Sequence, residues 1–203
     1  DYYFIHSIME QLLLNIHPSP QKTLDNFVVG KNAECINSIK KLLFSTNLFF
    51  IYIWGEDGSG KSHLATALKN HKINVIEDVE KINETQQIKL FNLFNESKKT
   101  NTKLVVTGSN SPNNMGLRDD LASRLNWQLV YQLKPLTDNE KKIALIKYAE
   151  GIGASLDDKV VAYCMANLNR ELSYLIATID ALGDWSLKTK RPITIPLLKQ
   201  LLF

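Results

Sequence analysis

The chain has 203 residues, 44% of them hydrophobic, and a formal net charge of +3. It holds enough apolar material for one large domain or two modest ones, and so weak a positive balance gives no argument from charge for a nucleic-acid binder. No apolar run reaches membrane-spanning length and no segment has the order of a signal peptide, so the chain is read as cytoplasmic with no membrane partner. The two cysteines, Cys35 and Cys164, lie far apart with no Cys/His set nearby, and read as ordinary thiols.

In chain order, Asp1 to Ile8 precede Met9, resemble nothing downstream and are set aside from the fold argument. The hexapeptide Gln11-Leu12-Leu13-Leu14-Asn15-Ile16 follows, cut off by His17-Pro18-Ser19-Pro20; prolines favour extended chain, so it reads as a tethered segment outside the core. From Thr23, Leu24-Asp25-Asn26-Phe27-Val28-Val29-Gly30-Lys31-Asn32 leads into a helical spacing of Ile36, Ile39, Leu42 and Leu43, with Gly30 as a turn and Asn32 as its predicted N-cap.

Phe49 to Trp54 is a buried strand, and it runs into Gly55-Glu56-Asp57-Gly58-Ser59-Gly60-Lys61-Ser62, the full phosphate-loop pattern, with helix-forming residues after it. Glycines let backbone N–H groups converge on a phosphate, and the helix N-terminus adds a favourable partial charge. Lys61 is expected to reach the outer phosphates and Ser62 to ligate Mg²⁺. The plainer reading, a glycine-rich turn without ligand, leaves the Lys-Ser pair unexplained.

Ile73 to Ile76 is a second buried strand ending in Glu77-Asp78, the form in which one carboxylate holds Mg²⁺ and its neighbour polarises a water. The usual order of acids is reversed, so Glu77 is assigned the metal position and Asp78 the catalytic one, against the alternative of an acidic loop. Only one helix fits between the two motifs, which predicts a sheet shortened by one edge strand. A helix over about 83–99 and a strand from Lys103 to Asn110 follow. Ser109 or Asn110 at its tip reads either as a γ-phosphate sensor or as a simple turn. A short helix over 117–125, a strand over 128–133 and the break at Pro135 lead to a wholly helical remainder: 139–151, 156–168, 170–187 and a last helix after Pro196, with Thr137 or Asp138 capping the first. The expected organisation is an N-terminal extension at 1–22, an α/β phosphate-loop domain with a parallel sheet at 23–135 and an all-helical lid at 136–203.

Four stretches resemble the AAA+ ATPase module of the DnaA family of bacterial replication initiators: Leu24-Asp25-Asn26-Phe27-Val28-Val29-Gly30-Lys31, Lys61-Ser62-His63-Leu64, Leu121-Ala122-Ser123-Arg124-Leu125-Asn126-Trp127 and Asn169-Arg170-Glu171-Leu172. The resemblance spans 23–203. It implies an arginine finger at Arg124, acting on a neighbouring subunit's nucleotide, a nucleotide-sensing arginine at Arg170, and an adenine-side segment at Phe27, Val28 and Val29. It also puts His63 with Gly55, Gly58, Gly60, Lys61 and Ser62 among the residues around a bound ADP or ATP with Mg²⁺.

Gln11, Leu12, Leu14 and Ile16 resemble the clamp-binding peptide of the family's regulatory branch, which docks on the polymerase III sliding clamp and promotes hydrolysis of ATP held by DnaA. In such a peptide the leucines and isoleucine fill apolar pockets while the Gln amide satisfies a polar one; Asn15 stands where proline is familiar. The resemblance therefore implies DnaA and the sliding clamp as partners, with self-association left open and no sequence-specific DNA contact. Two other readings stay open: an autonomous AAA+ ATPase of the helicase-loading or remodelling kind, and a clamp-binding adapter whose nucleotide is structural.

Overall fold

The computed structural model describes residues 21–202; the hexapeptide 11–16 lies outside them. Lys22–Leu136 form one compact unit and the described residues from Thr137 onward a second.

The first unit is built on a four-stranded parallel sheet of order β2-β3-β1-β4: β1 Phe50–Trp54, β2 Asn74–Ile76, β3 Leu104–Gly108 and β4 Leu129–Gln132. The register sets Phe50 beside Leu104, Ile51 beside both Val105 and Leu129, and Asn74 beside Leu104. Strand side chains alternate between faces, and here both faces are apolar because both are covered. Ile51, Ile53 and Val105 pack with helices α1 (Ala33–Phe44) and α2 (Lys61–Asn70), through Ile36, Ile39, Leu42, Leu64 and Leu68. Phe50, Tyr52, Leu104 and Val106 meet α3 (Glu84–Thr100) and α4 (Asp119–Leu125) on the other side, through Leu90, Phe94, Leu121 and Leu125. Phe94 stands edge-on to Phe49 and Phe50, with ring centroids 5.4 and 5.0 Å away.

The shortened sheet expected from the sequence is the one observed: among the described residues it has four strands, with β2 at the edge and Glu77-Asp78 just past its end. Edge strands invite pairing with other chains, and β2 limits this by being three residues long with Asn74 exposed. It begins at Asn74, not Ile73, because α2 ends in a Schellman turn. Lys72 takes a left-handed φ of +59°, the Ile73 N–H donates to Leu68 O at 3.2 Å and that of Lys72 to Lys69 O at 2.9 Å.

Asn32 occupies the N-cap position of α1 without capping it. Its amide pairs instead with the main chain of Lys134, donating to the carbonyl at 2.9 Å and accepting from the N–H at 2.8 Å, which fastens the start of α1 to the chain leaving β4. The amide of Asn presents one donor and one acceptor in nearly the geometry of a peptide unit, so burial at this position favours that pairing over a cap.

The second unit packs α5 (Asp138–Gly151), α6 (Asp158–Asn167), α7 (Leu172–Thr189) and α8 (Ile195–Leu202) around Leu145, Val161, Cys164, Leu175, Ile179, Leu182 and Leu198. Thr137 opens it with a capping box: its hydroxyl accepts from the Glu140 N–H while Glu140 accepts from the Thr137 N–H at 2.7 Å. Helix α7 starts at Leu172, leaving Arg170 in the preceding loop. The Asn169 side chain accepts from the Glu171 N–H at 3.0 Å, a local turn that competes with an earlier helix start. Pro196 falls in the first turn of α8, where its missing N–H has no partner to lose.

Phe94→Ala should lower the unfolding free energy by about 3–5 kcal/mol, because the cavity would sit under β1 and α3 with little room to collapse. A urea-denaturation midpoint close to that of the parent chain would show that this aromatic cluster does not carry the sheet.

Candidate functional site

The phosphate loop leaves the carboxyl end of the central strand and re-enters helix α2 at Lys61. Ligands of open parallel sheets bind at that end of the strands. Two positions need glycine for stated reasons. Gly60, the N-cap of α2, has φ +101°, and a Cβ there would lie 2.8 Å from the Phe27 ring; a Cβ on Gly55 would lie 2.6 Å from the Leu133 carbonyl oxygen. Lys61 is 9% exposed, and its ammonium donates to the carbonyls of Gly55 and Glu56 at 2.5 and 2.9 Å, directly across the loop. The Ser59 hydroxyl is buried with no hydrogen-bond partner among the described residues. Ser62 follows exposed in the first turn of α2. A tight loop with an inward lysine, an unsatisfied hydroxyl and a helix N-terminus fits a nucleotide phosphate chain. Its Mg²⁺ would take the Ser62 hydroxyl and a Glu77 carboxylate oxygen, since Mg²⁺ on a nucleotide needs one or two protein oxygens beside phosphate and water.

The acidic pair is engaged. Glu77 meets the Lys69 ammonium at 2.6 Å, and Asp78, at a left-handed φ of +51°, meets that of Lys81 at 2.7 Å. Among the described residues no group of three or more His, Cys, Asp or Glu gathers as a metal-binding set. Glu80 is the carboxylate that sequence reasoning passed over. It accepts from the Ser109 N–H at 3.1 Å, while the Tyr52 hydroxyl donates to the Asn110 carbonyl at 2.7 Å, so the tip of β3 is held from two sides. Burial, with the Glu80 charge second, pushes the Tyr52 phenol well above its ordinary pKa and keeps it a donor. The only advance signal was a further acid three residues beyond Glu77.

In the segment expected from the resemblance to line adenine, Phe27 is buried while Val28 and Val29 stay partly exposed. The segment ahead of them is tied to α2. Thr23 and Asn26 bond each other reciprocally, at 2.9 and 3.2 Å, and His63 Nε2 lies 2.9 Å from the Thr23 carbonyl oxygen and 3.0 Å from Asn26 Oδ1. Both partners are acceptors, so Nε2 carries the proton. Phe27 meets the His63 ring edge-on at 5.4 Å, and Asn70 Nδ2 donates to the Lys22 carbonyl at 3.2 Å.

Arg124 stands apart from the loop. β4 runs parallel to β1 with Leu129 beside Ile51, so Trp127, just ahead of β4, lies at the end of the sheet opposite the phosphate loop, and Arg124 is one helical turn before it. Its guanidinium sits 5.3 Å from the Phe91 ring and 5.7 Å from that of Trp127, and no carboxylate pairs with it among the described residues. Trp127 also carries the Lys98 ammonium at 3.8 Å. The other arginine of this region, Arg118, is tied to Asp120 at 3.0 Å, which holds its pKa up and the carboxyl pKa down. In the helical unit Arg170 reaches Asp138 at 3.4 Å, both largely exposed. A cavity of about 730 Å³ lies within that unit, lined by Tyr148, Ile152, Asp180 and Leu187 among others, and takes in none of the residues named from the sequence.

The family model described as Hda, lid domain, matches residues 138–202. An uncharacterized protein of Haemophilus influenzae is 30% identical over 227 residues, covering 95% of this chain and 98% of its own. Among solved structures, domain III of the Thermotoga maritima replication initiation protein DnaA aligns with a TM-score of 0.72 at 20% identity, over 92% of this chain and 98% of that one. DnaA from Aquifex aeolicus, bound to AMPPCP, gives 0.66 at 22% identity over 84% and 68%, and the Thermotoga maritima RuvB Holliday junction branch migration motor 0.63 at 15% over 91% and 72%. These structural likenesses establish the AAA+ fold. Among the described residues no helix is long and apolar enough to cross a membrane.

Burial, opposed by the Thr23 bond and reinforced by Lys22, holds the His63 pKa below its ordinary value. The unfolded chain then takes up a proton below about pH 6.5 that the folded chain does not, so stability is complete above that pH and declines as pH falls through it. Thermal midpoints between pH 7.5 and 5.5 should fall, and His63→Gln should flatten the part of that fall due to this ring. An identical pH slope in the variant would remove His63 as its cause.

Proposed function

The chain belongs to the Hda family of DnaA-related AAA+ proteins, and we propose that it is a nucleotide-bound negative regulator of replication initiation that stimulates hydrolysis of ATP held by a DnaA-type initiator. The observation that carries this reading is the setting of Arg124: a cation with no carboxylate partner among the described residues, seated against two aromatic rings at the far end of the sheet from the chain's own phosphate loop. An arginine so placed suits a nucleotide carried by another subunit. A guanidinium is permanently charged and forks around phosphate oxygens; supplied in trans it accelerates hydrolysis by about 10³ to 10⁵.

The chain's own loop serves as the regulatory nucleotide site. Gly55, Gly58 and Gly60 shape the phosphate cradle, Lys61 neutralises phosphate charge, and Val28 and Val29 flank the base, with Phe27 behind them. These groups would hold ADP or ATP with its Mg²⁺. Ser62 and Glu77 would hold the ion, Asp78 would polarise water in whatever hydrolysis the chain performs itself, and Arg170 is assigned to nucleotide sensing. The ion pairs of Glu77 with Lys69 and of Asp78 with Lys81 support slow intrinsic turnover over an autonomous ATPase. Gln11, Leu12, Leu14 and Ile16 tether the chain to the sliding clamp and so concentrate it near newly loaded initiator.

In a turnover assay with initiator, DNA-loaded clamp and the full chain, Arg124→Ala should bring the initiator's rate back toward its unstimulated value while leaving ADP binding by the regulator intact. Full stimulation by that variant would remove the finger assignment. Turnover by the chain alone, abolished by Asp78→Asn, would favour the autonomous ATPase instead.

A further inference from the structure

His63 lies one residue past the phosphate-loop Ser62, yet its contacts lead to the other side of the nucleotide site. Its Nε2–H serves two acceptors 40 and 37 residues earlier in the chain, Thr23 O and Asn26 Oδ1, and its ring backs Phe27. Phe27 in turn rests on the last glycine of the loop, so closely that a Cβ on Gly60 would meet its ring at 2.8 Å. The segment is rigid at its start through the reciprocal Thr23 and Asn26 bonds, and it is tied a second time by Asn70 to the carbonyl of Lys22. Val28 and Val29, partly exposed, continue directly from this anchored stretch.

We propose that His63 is a positioning residue for base recognition: it clasps the Thr23–Phe27 segment onto α2 so that the Val28-Val29 shelf is held at a fixed height over the phosphate loop. The inference rests on the reading of the loop as a nucleotide site and adds to it a division of labour. Gly55 to Ser62 bind phosphate whether or not the clasp is closed, whereas the purine is gripped only when His63 holds the shelf. Without the clasp, ordering the shelf has to be met from binding energy, at a cost of about one immobilised side chain or more, or roughly a tenfold loss of affinity for the base-bearing ligand. Bare phosphate chains do not touch the shelf and lose nothing.

The test compares Mg²⁺–ADP with Mg²⁺–tripolyphosphate by titration calorimetry on the full chain, its His63→Ala and His63→Gln variants, and Asn26→Ala, an exposed substitution outside α2 that removes the Oδ1 shared by the His63 ring and the Thr23 N–H. His63→Ala should bind ADP roughly tenfold more weakly and tripolyphosphate as the parent does. His63→Gln, whose amide can reach the same acceptors, should recover most of the ADP affinity, and Asn26→Ala should show the same selective loss in smaller measure. Parallel loss of both ligands in His63→Ala, or unchanged ADP affinity in His63→Ala and Asn26→Ala alike, would overturn the proposal while leaving the nucleotide site standing. A parent chain that binds neither ligand would instead remove the nucleotide site and the clasp with it.

Discussion

The contact between Phe27 and Gly60 is the constraint that joins the phosphate loop to the segment ahead of α1. A left-handed glycine allows the chain to turn from β1 into α2 in the space of a phosphate loop, and the aromatic ring pressed against it leaves no room for a side chain there. The position of the loop follows from β1, central and buried over its first four residues, and the position of β1 follows from having a helical layer on each face. Asn32 and His63 then fasten the preceding segment to the chain after β4 and to α2.

The charged groups divide into two kinds. Lysines already engage Glu77 and Asp78, and carboxylates engage Arg118 and Arg170. Among the described residues Arg124 meets ring faces and no carboxylate, and an aromatic face orients a guanidinium without neutralising it. That contrast fits a protein whose own carboxylates are restrained and whose arginine is kept charged and available for another molecule's phosphates. Lys98 lies on the Trp127 ring as well, so a second cation stands beside Arg124.

Much of this was legible from sequence wherever the signal was local. The phosphate loop, the strand ending in two acids, a cap at Thr137 or Asp138 and the four-helix remainder are each written within a few residues, and the shortened sheet followed from the spacing of two motifs. What escaped was set by partners far away in the chain. Asn32 reads as a cap until Lys134, 102 residues later, presents a peptide unit to it. Glu80 looks like one more surface acid until β3 brings the Ser109 N–H against it, and the Nε2 partners of His63, Thr23 O and Asn26 Oδ1, lie 40 and 37 residues earlier. The start of α7 was misjudged by two residues because the turn at Asn169 outcompetes helix, leaving Arg170 in a loop. The setting of Arg124 was beyond sequence for the same reason: the parallel register of β4 on β1 decides which end of the sheet it occupies.

The central claim is that the chain lends an arginine to a nucleotide it does not itself hold. The most direct measurement follows the fate of labelled nucleotide: initiator preloaded with radiolabelled ATP is mixed with this chain carrying unlabelled ADP, on clamp-loaded DNA, and labelled products are quantified over a single turnover. The account predicts that label on the initiator converts to ADP much faster with the chain than without it, while nucleotide on the chain stays unexchanged. Conversion that requires label to pass first to this chain, or that proceeds at the initiator's unaided rate, would contradict it.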